Sequence, residues 1–69
     1  MNGQHSDLTP RQRQIMVLAA EGLSNKQIAR QFNLTEGTVK IHLHKIYQRL
    51  GISNRTSLAA FVHKQLAAE

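Results

Sequence analysis

Lys40, Ile41, His44, Lys45 and Gln48 are the residues of this chain whose types and spacing could act on a ligand. An ammonium group donates to guanine acceptors, a glutamine amide pairs with adenine, and an isoleucine side chain touches the methyl group of thymine. On a helix turning about 100° per residue, with Val39 at the origin, Leu43, Ile46 and Leu50 lie within about 40° of it. Ile41, His44 and Gln48 then fall on the opposite side, flanked by Lys40 and Lys45. One face can hold such a helix to a domain while the other stays free. Ile41 carries most weight in this reading. A single apolar residue on a surface is ordinary, but a solvated face this basic has little use for a β-branched one.

No other constellation in the chain has the spacing of a reactive site. There is no cysteine, no glycine-rich phosphate loop and no pair of carboxylates beside a histidine. Ser24, Ser53, Thr9 and Thr35 are explained as helix caps rather than as nucleophiles. His42 and His44 stand two apart, so on a helix they point to different sides and form no metal site. His42 lies about 60° from Val39, toward the core side, and reads as a structural histidine hydrogen-bonded inside the domain. His5 and His63 read as surface residues. The expectation is a protein that is not an enzyme and takes no cofactor.

The elements that must position this face follow from caps and periodicity. Thr9-Pro10-Arg11-Gln12 opens a first helix, with Thr9 and Gln12 as a capping box, Pro10 at the first helical position and Leu8 as a staple. Ile15, Leu18 and Ala19 give it one apolar face, and Gly22 ends it. Ser24-Asn25-Lys26-Gln27 is a second capping box, followed by a short helix with Ile28, Ala29 and Phe32 inward. Asn33 breaks that helix, because asparagine tolerates the left-handed conformation, and Leu34 follows as an apolar plug. Thr35 caps a third helix beginning near Glu36 and closing at Gly51, with Ile52 as the apolar contact beyond. A fourth starts near Ser53-Asn54 and turns Leu58, Phe61, Val62 and Leu66 inward. No strand alternation, repeat or low-complexity tract appears, so the expected fold is all-α with four short helices.

The 69 residues allow one domain with a thin core. Residues 1–7 read as the tail of an interdomain linker or an added start, and 8–69 as the domain. Nine Lys/Arg against four Asp/Glu give a formal charge of +5, and between Thr38 and Lys64 five basic side chains meet no acid. That imbalance favours a polyanionic partner. No apolar run approaches the length of a membrane span, and the polar start lacks a signal-peptide stretch. The expected location is the cytoplasm, with no membrane partner.

Two short helices, a turn and a longer basic helix are the helix-turn-helix arrangement, whose later helix enters the major groove. Three stretches carry a closer likeness: Leu8-Thr9-Pro10-Arg11-Gln12-Arg13-Gln14-Ile15, Gly22-Leu23-Ser24-Asn25-Lys26-Gln27-Ile28-Ala29 and Leu34-Thr35-Glu36-Gly37-Thr38-Val39-Lys40-Ile41-His42-Leu43. Ile46, Leu50-Gly51-Ile52 and Arg55 extend it. These resemble the LuxR-type (GerE-like) helix-turn-helix family, in the flavour of NarL/FixJ response-regulator output domains, over about Leu8 to Leu66. The resemblance implies sequence-specific binding of double-stranded DNA in bacterial transcription regulation, with a recognition helix at about Glu36–Leu50. It implies Lys40, Ile41 and His44 as base-reading residues. Asn25, Lys26, Thr38 and Lys45 are implied as phosphate contacts, with Arg49 and Arg55 placed beside them. It also implies a dimer on paired half-sites through the fourth helix, where Ala59, Ala60, His63 and Ala67 form a second face, and RNA polymerase as a further partner. Two positions depart from the pattern. The family usually has an acid where Gln12 or Arg13 stands here, and often Lys or Arg at His44. The departures bear on which bases are read.

Three other readings compete. A freestanding small regulator would need no sensing domain ahead of it. A sigma-factor promoter-recognition domain shares the Thr-Val-Lys pattern, but Ser24-Asn25-Lys26 and Lys40-Ile41-His42 favour the LuxR type. A helical protein-interaction module would carry an acidic or apolar third helix, and this one is basic. RNA binding is disfavoured, because single-stranded RNA is read by exposed aromatics and Phe32 and Phe61 fit core positions.

Overall fold

The computed structural model describes residues 8–68. The linker reading of residues 1–7, the surface position of His5 and the side chain of Leu66 lie outside that description. Four helices follow one another: α1 (Pro10–Ala20), α2 (Asn25–Phe32), α3 (Glu36–Leu50) and α4 (Arg55–Ala68). The described residues contain no strand.

Local hydrogen bonds set where each helix begins. The Thr9 hydroxyl accepts from the Gln12 N–H at 3.0 Å, and the Thr9 N–H donates back to Gln12 Oε1 at 3.0 Å. Ser24 and Gln27 repeat the reciprocal pair at 3.1 and 2.8 Å. Thr35 caps α3 by accepting from the Thr38 N–H at 3.1 Å, and Asn54 caps α4 by accepting from the Ser57 N–H at 2.8 Å. Each cap satisfies a donor that the helix itself leaves unpaired.

The ends of α1, α2 and α3 share one motif. The N–H groups of Leu23, Leu34 and Ile52 reach back five residues to the carbonyls of Leu18, Ala29 and Tyr47, at 3.1, 2.8 and 3.0 Å. This closure requires a left-handed or otherwise positive-φ residue just before. Gly22 (φ 99°), Asn33 (φ 56°) and Gly51 (φ 70°) supply it. The residue after each is apolar and packs on the core, so every stop signal also inserts a hydrophobic plug.

The core draws on all four helices. Ile15, Ile28, Val39, Ile46 and Leu58 are fully buried, with Leu8, Met16, Ala19, Ala29, Leu43 and Val62 around them. Burying an aliphatic side chain of this size stabilises by roughly 1.5–3 kcal/mol. Leu18, Phe32, Leu50 and Phe61 are half-buried against this cluster. Met16, rather than Leu18, completes the buried inner face of α1. Arg11 stacks over the Phe32 ring at 4.4 Å and ties α1 to the end of α2, an attraction worth about 0.5–1 kcal/mol at an exposed site.

His42 is half-buried on α3, on the expected side. The expected hydrogen bond inside the domain is not made by its Nδ1, which is buried without a partner.

Candidate nucleic-acid interface

The packing of α3 divides its surface in two. Val39, Leu43 and Ile46 are buried, whereas Lys40, Ile41, His44, Lys45, Gln48 and Arg49 are exposed. Ile41 is 59% exposed and, among the described residues, is with Val17 one of two large apolar residues left exposed. A helix of this length extends about 22 Å and, with side chains, is about 10–12 Å across, which matches a major groove about 12 Å wide. The base-reading candidates Lys40, Ile41 and His44 therefore project from a helix anchored along its other side.

The candidates for phosphate contact occupy helix starts and the flanks of α3. Asn25 is the first residue of α2 and is half-buried; Lys26 follows it and is exposed. The Thr38 hydroxyl accepts from the Thr35 hydroxyl at 3.0 Å, which leaves its own proton to donate. Lys45 and Arg49 stand on the exposed surface of α3. Arg55, the first residue of α4, is half-buried and turned inward. One guanidinium nitrogen donates to the Leu23 carbonyl at 2.9 Å and another to Asn25 Oδ1. This pair spans about thirty residues of sequence and joins the start of α4 to the start of α2.

Asn25, Lys40, His44 and Arg55 come together around an open cleft of about 300 Å³, which Leu43 and Tyr47 complete. Tyr47 is the site residue that the sequence reading missed. It stands seven residues after Lys40 and three after His44, so a wheel drawn for the flank of α3 would have placed all three in one stripe. A wider cleft of about 660 Å³ lies between α1, α2 and α4, with Ser24, Lys26, Glu36 and Arg55 among its walls. Ala60, His63 and Ala67 are exposed on α4, and Ala59 is half-buried at the edge of that wider cleft. Among the described residues no group of His, Cys, Asp and Glu could hold a metal ion, and no helix is long and apolar enough to cross a membrane.

A four-helix fold with a short turn before a basic, two-faced third helix defines a helix-turn-helix domain. The family model for bacterial regulatory proteins of the luxR family matches residues 6–62, and the chain belongs to that family. It is similar to the nitrate/nitrite response regulator protein NarL of Escherichia coli, at 42% identity over 60 residues, covering 87% of this chain and 28% of that protein. The transcriptional regulatory protein LiaR of Bacillus subtilis is 40% identical over the same shares. The putative HTH-type transcriptional regulator YhjB of Escherichia coli is 46% identical over 56 residues, covering 81% of this chain and 28% of that protein. The chain thus spans little more than a quarter of the length of these relatives. What they share with it is a DNA-binding domain of transcription regulators.

Proposed function

We propose that this domain binds specific sequences in duplex DNA with α3 in the major groove, as the output domain of a two-component or ligand-responsive transcription regulator. The observation that carries the reading is Ile41, exposed in the middle of a cationic helix face whose reverse side is locked into the core. Lys40 and His44 flank it along the same helix, and together the three read base edges. Asn25, Lys26, Thr38, Lys45 and Arg49 hold backbone phosphates and fix the register of α3. Arg55, expected from its charge to join this set, is bonded inward to Leu23 and Asn25 instead. The response-regulator role draws on the NarL relative, a nitrate/nitrite response regulator, and on the short share of it that the chain covers.

Pairing on adjacent half-sites goes with this reading. The small side chains of Ala60 and Ala67, beside His63 and the edge residue Ala59, allow a second copy of α4 to approach closely. So few small residues bury little area, and the free dimer is weak. Two adjacent half-sites raise the effective concentration and bring it out.

A titration of duplex binding against salt tests the central claim. Each neutralised phosphate contributes about −0.9 to the log–log slope, so one domain on one half-site gives roughly −4 to −6. A slope near zero removes the phosphate contacts and the reading with them.

A further inference from the structure

Arg55 has five N–H donors and no acceptor. The two oxygens it is bonded to, the Leu23 carbonyl and Asn25 Oδ1, are both neutral. They leave its charge at the wall of the cleft that also holds Lys40, His44 and Tyr47. The consequence for Asn25 is specific. A side-chain amide has an acceptor end and a donor end. With Oδ1 bonded to Arg55, the remaining group of Asn25 is its NH2, a double donor. Asn25 lines both clefts at the start of α2. Without Arg55 the amide could turn over and present its oxygen there, which repels an anion.

We propose that Arg55 is a positioning residue that sets the polarity of the Asn25 amide, so that Asn25 meets a backbone phosphate with its N–H donors. This inference rests on the DNA binding proposed above. Arg55 acts through Asn25 and through the carbonyl at the α1–α2 corner, and it couples the seating of α4 to the phosphate grip of α2. A guanidinium is suited to this because its rigid planar fork holds two acceptors in a fixed geometry, whereas an ammonium on a flexible stem fixes neither.

The probe is a short random-sequence duplex, because phosphate contacts carry no sequence information. Arg55→Lys keeps the charge and loses the fork. It is expected to bind about tenfold more weakly than the wild type, the loss of a hydrogen bond to a charged group, with an unchanged salt slope. Asn25→Ala is expected to lose about the same, and the double variant no more than either single one. Wild-type affinity in Arg55→Lys, or additive losses in the double variant, would make Arg55 a direct phosphate ligand and overturn the inference. Asn25→Asp gives a readout if Arg55→Lys fails to fold by circular dichroism. Its carboxylate still accepts from Arg55, so the domain stays folded, but it brings a negative charge to the phosphate. It should bind more weakly than Asn25→Ala, and equal or tighter binding overturns the inference. Failure of the wild type to bind the duplex at all sinks the DNA reading together with this one. Wild-type binding with an unaffected Arg55→Lys sinks this one alone.

Discussion

Helices α3 and α4 are nearly equal in length, at 15 and 14 residues, and each gives one side to the same core. Their outer sides differ. That of α3 carries Lys40, Lys45, Arg49, His44 and a bare Ile41, whereas that of α4 carries Ala60, His63, Lys64 and Ala67. Long cationic side chains reach into a groove and bridge to phosphates. Small ones let a backbone come near another helix. The inner faces are alike in kind, and the division of work proposed above, DNA to α3 and a second copy to α4, rests on the outer faces alone.

The largest effects should be shared by both helices. Ile46→Ala on α3 and Leu58→Ala on α4 each remove a fully buried side chain and should cost about 2–5 kcal/mol in denaturant unfolding. In a domain this small that approaches the whole margin of stability. If one of the two were tolerated, the inner faces would not be equivalent and the comparison would break at its base.

Outer substitutions should separate the helices. Ile41→Ala and Lys40→Ala leave the fold within about 0.5 kcal/mol of wild type. They should reduce discrimination between the preferred duplex and random DNA by roughly 1–3 kcal/mol each, as read by binding selections on randomised duplexes followed by titration. Retained discrimination in both variants would take base reading away from this face of α3.

On α4, Ala60→Glu should leave binding to a single half-site nearly intact and bring cooperativity on paired half-sites down to about one. Gel-shift titrations on one-site and two-site duplexes measure both quantities. Unchanged cooperativity in the folded variant would move the dimer contact elsewhere and leave the Ala residues as helix formers only.

Lys26→Ala should have the smallest effect. It should weaken binding to every sequence alike and lower the magnitude of the salt slope by about one. A changed sequence preference in this variant would mean that the start of α2 reads bases, and the division of labour would have to be redrawn.

Much of this molecule could be read from neighbours in sequence. The two capping boxes, the Thr35 cap and the left-handed Asn33 and Gly51 all involve partners within five residues, and the two faces of α3 follow from helical periodicity. A hydrogen bond from Thr9 to Gln12 depends on residue type and spacing alone, so the sequence suffices to place it. The luxR-family match agrees with the resemblance carried by Ser24-Asn25-Lys26 and Thr38-Val39-Lys40.

Other features depended on which helices lie side by side. Ile15 to Ala20 is an unbroken apolar run, so periodicity could not choose between Met16 and Leu18 for the core. The assembled helices bury Met16 and leave Leu18 half-buried. Tyr47 joined the site because the flank of α3 faces the start of α2. Arg55 carried a cation's expectation of meeting phosphate, and only the folded chain turned its guanidinium onto Leu23 and Asn25. Local hydrogen bonds are encoded by spacing along the chain. A bond across thirty residues exists only after burial of Ile15, Ile28, Val39, Ile46 and Leu58 has brought the helices together, and no spacing in the sequence expresses that.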